Sequence, residues 1–369
     1  MSEKKIRVAI IGAGMIANAG HIPAWKNLVE DVELVGVFNR SIERARNSAE
    51  RHGIPHAFDD CVEMLAEVKP DVVSVCTPNV SHREYAVAAL EAGAHVFCEK
   101  PVAATYADAA EMFAVAEREG KILFVTQTGR FSSGSMAARE IAGSGQLGEM
   151  YYAETSALRR RGVPTWGRFH MKEDSAGGPL CDIGVHALDA LLWVMGNPKV
   201  VAASGATYTK IANQDEGLIE SLADSGAPVG VFGSREYSSG EYDVEDMAAG
   251  FLRLENGATI SLKVSWAANV PEGMGGTVIL GTKGGLNLNP LTFIGNMGRY
   301  QADTEIKVPV DPSIPFYGHW RAAEHFVGVL RGEEELIVRK EEVLNVIGAL
   351  DGLYRSAAGG REVRLDGGV

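Results

Sequence analysis

The chain has 369 residues, 46% hydrophobic and 22% charged, the balance of a soluble globular protein of about two domains. Its formal net charge of -13 repels nucleic acid and anionic membrane, so neither is expected as a partner. No run reaches the roughly 18 apolar residues of a spanning helix, and the cysteines at 61, 76, 98 and 181 form no CxxC pair or metal-ligand spacing, which suits a reducing cytoplasm.

The N-terminal MSEKKIRVAIIGAG is basic and then apolar, like a signal peptide, but its apolar part is short and contains Gly12 and Gly14. Residues 6–11 therefore read as a first strand, followed by Gly12-Ala13-Gly14-Met15-Ile16-Ala17 and a helix-permissive stretch. A second apolar run covers 32–38, and residues 41–52 are helical in composition and stop at Gly53. Apolar runs at 71–76, 94–98 and 121–125 predict three more strands, separated by helices at 81–92 and 105–119 that end at Gly93 and Gly120. Strands that are apolar for most of their length and alternate with helices predict a parallel sheet covered on both faces. Residues 1–128 are expected to form a doubly wound dinucleotide-binding domain and 129–369 a second domain.

Beyond Gly129 the pattern changes. Residues 251–255 and 258–266 flank Asn256-Gly257, a hairpin signal in which both turn positions take positive φ. In the second of these strands Ile260, Leu262, Val264 and Trp266 alternate with Thr259, Ser261, Lys263 and Ser265, giving one apolar and one polar face. Residues 277–280 and 286–288 predict another hairpin, 215–246 is loop-rich, and 320–331 and 341–358 predict helices. The second domain should thus hold an antiparallel sheet.

Three motifs carry chemistry. The GxGxxA run follows a strand, opens a helix and begins a βαβ unit, the setting of a dinucleotide fingerprint. Gly12 permits the turn, Gly14 the approach of a pyrophosphate, and Ala17 close helix packing, with the helix N-terminus facing the phosphates. An NAD site would carry Asp or Glu at the end of the second strand. Here Asn39 could bond a ribose hydroxyl, and Arg40 and Ser41 could meet a 2′-phosphate, so NADP is favoured over NAD, with dual use open. Glu99-Lys100-Pro101 lies where parallel strands end, which is where open α/β sheets bind ligands. A lysine there can exchange a proton with a substrate hydroxyl, or form an ordinary surface ion pair. Residues 177–189, GGPLCDIGVHALD, predict a helix with Asp182 in its first turn and His186 four residues on, both on one face. An acid beside an imidazole on a largely apolar helix is a proton-handling arrangement. His52 and His56 are separated by Gly53 and Pro55, so no metal site is expected. His170, His319, Trp166 and Trp320 read as structural, and Arg159-Arg160-Arg161 as a solvated face or a contact to a polyhydroxylated ligand.

Taken together, GAGMIA, CEKP at 98–101 and GGPLCDIGVHALD at 177–189 resemble the glucose-fructose oxidoreductase, inositol dehydrogenase and rhizopine-catabolism family (Gfo/Idh/MocA). The resemblance implies an α/β chain: an N-terminal Rossmann domain plus a C-terminal α/β domain with a large, open, mostly antiparallel sheet. It implies hydride transfer between a nicotinamide and a hydroxyl-bearing carbon of a sugar, cyclitol or sugar derivative. It assigns acid/base catalysis to His186, polarisation or relay to Lys100, and a positioning role to Asp182. It places Thr77, Pro78, Asn79 and His82 at the nucleotide, and Glu99 and Gln127 beside the nicotinamide. A homodimer or homotetramer, paired through the open sheet and its polar face, is also implied. Relatives that cleave glycosides by transient oxidation, or that have become cofactor or sugar sensors, define the competing expectations.

Overall fold

The computed structural model describes residues 4–214, 237–271 and 273–365, so most of the expected loop-rich stretch at 215–246 lies outside the described residues. The chain forms two compact units. In the first, β1 (Ile6–Ile11), β2 (Val32–Phe38), β3 (Ala57–Phe58), β4 (Val72–Val75), β5 (His95–Cys98) and β6 (Leu123–Val125) make a parallel sheet in the order β3-β2-β1-β4-β5-β6. That is the doubly wound order, with the chain reversing direction across the sheet between β1 and β4. The core strands are buried on both faces, which is why they read as unbroken apolar runs.

The helices within its first 128 residues are α1 (Ile22–Lys26), α2 (Ile42–His52), α3 (Cys61–Val68), α4 (His82–Glu91) and α5 (Tyr106–Arg118). Their ends are set locally. Ser41 Oγ accepts the Arg44 N–H at the start of α2, Thr105 Oγ1 accepts the Asp108 N–H at the start of α5, and Gly53 ends α2 at φ 69°. The two-residue β3 is too short to carry a pattern; α3, whose Met64, Leu65 and Val68 form its buried face behind the Asp60 cap, is an element the sequence reading omits.

The expected second domain, 129–369, needs one correction. Residues Pro312–Lys340 cluster with the first unit, not the second. The cause is packing: Phe326, on α9 (Tyr317–Leu330), lies against Phe97 and Phe124, with ring centroids 5.7 and 5.2 Å away. Those two rings stack on each other at 5.1 Å, and burying three aromatics outweighs proximity along the chain.

The second unit contains β7 (Met150–Leu158), β8 (Val200–Tyr208), β9 (Met247–Leu254), β10 (Thr259–Ser265), β11 (Gly275–Gly281), β12 (Gly285–Leu288), β13 (Leu291–Met297), β14 (Tyr300–Glu305) and β15 (Val363–Arg364). Among the described residues they form one nine-stranded sheet, antiparallel except where β7 meets β10. Its helices are α6 (Ser133–Gly143), α7 (Lys172–Ser175), α8 (Val185–Val194) and α10 (Lys340–Gly359), which begins at the unit boundary. The β9–β10 turn differs from expectation. Gly257 has φ 87°, but Asn256 is not in the left-handed region. The Gly257 N–H returns to Leu254 O and the Asn256 side chain accepts the Ala258 N–H, so one glycine suffices.

On β10, Ile260, Leu262 and Val264 are buried, while Thr259, Ser261 and Lys263 are partly exposed. Ser265 departs from the polar face: it is buried, and its hydroxyl donates to Arg159 O at 3.0 Å. Within the same unit Arg130 is fully buried. Its guanidinium forks onto Asp189 at 2.8 and 2.6 Å and also reaches Glu342. Two carboxylates around one buried cation keep that charge compensated.

Candidate active site

The glycine turn has the geometry its residue types require. Gly12 sits at φ 100°, and a Cβ there would lie 2.8 Å from Cys76 O, so only glycine fits. Gly14 is exposed, and a Cβ on it would meet nothing within 4 Å, so the backbone is open to a ligand. Met15 and Ile16 open the helix, which widens into a π-helical turn at Ala17–His21. Asn39, at the end of β2, accepts the Ala13 N–H with Oδ1 at 3.3 Å and so ties the turn to the neighbouring strand. Arg40 is exposed, whereas the Ser41 hydroxyl is occupied by capping α2 and by donating to Glu43.

Both carboxylate oxygens of Glu99 are engaged within the protein. Oε1 accepts from His21 Nε2 at 2.7 Å, His319 Nε2 at 2.9 Å and Thr126 Oγ1 at 2.9 Å; Oε2 accepts the Lys100 N–H at 3.1 Å. The Trp25 indole donates to Ser74 Oγ, which lies 2.7 Å from His21 Nδ1 and donates to it when His21 is neutral. Glu99 thus joins β4, β5, β6, the phosphate-side helix and α9, and fixes the backbone of Lys100. The ligating atoms of His21, Glu99 and His319 lie within 4.8 Å of one another, as a metal ion would need. However, 2.7 and 2.9 Å are proton-bridged distances, and ligands of a tetrahedral ion stand about 3.3 Å apart. The cluster is a hydrogen-bonded hub. No local sequence pattern marks His21 or His319 as members of this hub, because their shared partner lies 78 and 220 residues away.

Both ring nitrogens of His82 are likewise engaged within the protein. Its Nδ1 lies 2.8 Å from Pro101 O and its Nε2 2.9 Å from Thr77 O, so it holds the turn after β4 against the segment that follows Lys100. The Lys100–Pro101 bond is cis. Two groups here are buried without partners: Thr77 Oγ1, and both side-chain amide atoms of Gln127, a residue only 1% exposed. Pro78 and Asn79 lie beside Thr77 on the same turn, Pro78 exposed and Asn79 partly so.

Burial lowers the pKa of His21, His52, His82 and His95, with desolvation of the charged ring the leading cause in each. For Glu99, burial opposes the charged form, but the hydrogen bonds from His21 and His319 outweigh it and hold the carboxyl well below the usual range. A histidine whose folded pKa is depressed contributes stability above its unfolded pKa of about 6.5 and loses it as pH falls. Glu99, also depressed, stays ionised through that window. The melting temperature is expected to be level above about pH 7 and to fall between roughly pH 6.5 and 5. A calorimetric series that stayed flat to pH 5 would contradict the assignment.

In the second unit, Pro179 and Leu180–Gly184 form another π-helical turn, which passes directly into α8. The expectation of a single α-helical face for Asp182 and His186 is therefore corrected. Their four-residue spacing crosses the junction between a wide turn and an α-helix. Asp182 is oriented instead by Trp266, whose indole N–H donates to Oδ2 at 3.1 Å. Both Asp182 and His186 are partly exposed, as groups that meet a ligand must be. Arg159 and Arg161 bond neighbouring backbone carbonyls and Asn269, which absorbs much of the arginine run structurally.

Residues 6–127 match the description "Oxidoreductase family, NAD-binding Rossmann fold" and residues 135–287 match "GFO/IDH/MocA C-terminal domain". Along 367 residues, 99% of each chain, the protein is 36% identical to a D-glucoside 3-dehydrogenase of Escherichia coli (strain K12). The chain belongs to the GFO/IDH/MocA oxidoreductase family. Another member, scyllo-inositol 2-dehydrogenase (NADP(+)) of Bacillus subtilis (strain 168), is 32% identical over 206 residues, 54% of this chain and 61% of that one. A levoglucosan dehydrogenase in complex with NADH and levoglucosan shares the fold at TM-score 0.80 and 21% identity, covering 98% of this chain and 100% of that one. The family's NAD-binding description fits the residues present. Gly12 allows the tight turn, Gly14 leaves the approach to the helix N-terminus clear, and Thr77 and Gln127 hold unpaired polar atoms. A buried unpaired group costs about 1–3 kcal/mol, which a bound dinucleotide would offset.

Proposed function

We propose that the protein oxidises a ring hydroxyl of a glucoside or related sugar or cyclitol to the ketone, reversibly, with a nicotinamide dinucleotide. The observation that carries this reading is the full-length identity to a D-glucoside 3-dehydrogenase, in a chain that has Lys100, Asp182 and His186 at the positions the family motifs mark. The cofactor supplies hydride exchange when bound. The chain's own residues manage the proton and the oxygen: His186 accepts the hydroxyl proton, the Lys100 ammonium stabilises negative charge developing on that oxygen, and Asp182 orients the polyol. NADP is favoured over NAD, because β2 ends in Asn39 without a carboxylate and Arg40 is exposed beside it. We further propose a homodimer or homotetramer, supported by the partly exposed polar residues of β10, where Lys263 pairs with Glu154 at 2.7 Å. Cysteines without disulfides support a reducing, cytoplasmic setting.

A panel of glucosides, free sugars and cyclitols, run with both cofactors and followed at the reduced-nicotinamide absorbance, tests the activity. Net reduced cofactor with a ring-ketone product is the expected result; glycoside cleavage without net reduction would refute it. In the same panel Arg40→Ala should weaken NADP by roughly 10- to 100-fold, the range of one charged hydrogen bond, and NAD far less. Equal loss for both would remove the 2′-phosphate contact.

A further inference from the structure

Glu245 and Asp246 are adjacent in sequence, lie far from both helix motifs, and are buried. Glu245 caps the backbone entering the Asp182 turn: its carboxylate accepts the Gly178 N–H at 3.0 Å and the Leu180 N–H at 3.1 Å. Tyr354, on α10, donates to the same carboxylate at 2.8 Å. The two preceding glycines make this approach feasible. A Cβ on Gly178 would stand 2.1 Å from Glu245 O, and one on Gly177 would stand 2.2 Å from the Tyr354 hydroxyl. Asp246 works from the other side. Its carbonyl accepts the Trp266 N–H at 2.9 Å, and its carboxylate accepts the N–H groups of Lys210, Ile211 and Ala212. Trp266 then donates its indole N–H to Asp182. One dipeptide therefore holds Asp182 through both its backbone and its side chain.

We propose that Glu245, with Tyr354, is a positioning residue for the reaction: it sets the π-helical turn so that Asp182 meets the Trp266 indole and faces substrate. The proposal rests on the functional reading of Asp182 and His186 given above. Asp182 has a hydrogen-bonding carboxylate on a wide turn that lacks regular α-helical support, so its aim depends on whatever pins the turn. A misplacement of about 1 Å costs roughly 100-fold in rate.

The test uses the whole chain and four kinetic variants, Glu245→Gln, Tyr354→Phe, Asp182→Asn and His186→Ala, with a fifth substitution for spectral assignment. Turnover and KM are measured alongside the Trp266 indole N–H resonance, assigned through Trp266→Phe. Glu245→Gln keeps the shape but turns an amide NH2 towards a backbone N–H. It should lower kcat roughly 10- to 100-fold with substrate KM within about threefold, and move the indole resonance towards its Asp182→Asn position. Tyr354→Phe, which removes one donor to the Glu245 carboxylate, should move both readouts in the same direction by less, and it keeps the proposal testable should Glu245→Gln fail to fold. An unmoved resonance with kcat within about twofold of the parent in both variants would overturn the proposal. A moved resonance in Glu245→Gln, with full turnover in Asp182→Asn and His186→Ala, would uphold the positioning of Asp182 and sink the functional reading instead.

Discussion

His186→Ala is expected to lower kcat by about two to four orders of magnitude, the usual range for an acid/base group. His186 stands in the first turn of α8, partly exposed, directly after the wide turn that carries Asp182. Unlike His82, which is fully buried between two backbone carbonyls, His186 keeps part of its surface exposed. Its loss should leave substrate KM nearly unchanged, because the proton moves only in the transition state; kcat and kcat/KM should therefore fall together. Steady-state kinetics on the best substrate of the panel measures this. A decrease below about tenfold would remove His186 from the proton-transfer role.

Glu99→Ala should have the largest effect on stability, about 3–5 kcal/mol, the cost of breaking a buried, charge-assisted network by removing one partner. Four donors converge on this one carboxylate, and three of them, His21, His319 and Thr126, are themselves buried. Deleting the acceptor leaves these N–H and O–H groups without a partner in a site too enclosed for free hydration. The measurement is the urea midpoint and slope of the unfolding transition, with cofactor absent so that ligand binding does not mask the loss. A change under about 1 kcal/mol would show that the hub relaxes around the gap and that Glu99 holds little of the fold.

The parts of the fold that could be read in advance are those where local sequence carries the signal. Strands buried on both faces are apolar throughout, and helix ends at Ser41, Thr105 and Gly53 announce themselves by residue type. The glycine turn, Lys100, Asp182 and His186 are legible for the same reason, since each lies within a short motif. The hub around Glu99 was not legible because its partners lie 78 and 220 residues away. The Arg130–Glu342 pair, 212 residues apart, and the Glu245 cap were hidden in the same way. The two π-helical turns escaped because a wide turn and an α-helical turn draw on the same residues; what separates them is backbone hydrogen bonding.

Pro312–Lys340 belongs to the first compact unit, and through it His319 closes on Glu99 while Phe326 packs on Phe97 and Phe124. As the ribosome makes the chain, the first 128 residues emerge with every strand of their sheet but with that sheet's aromatic face and buried carboxylate still waiting. The nucleotide-binding half cannot finish folding until residue 340 has left the exit tunnel, by which time most of the other half has already been made. The first unit thus waits on a segment made long after its sheet, and a nascent chain stalled before residue 312 presents an unfinished apolar face to whatever chaperones attend it.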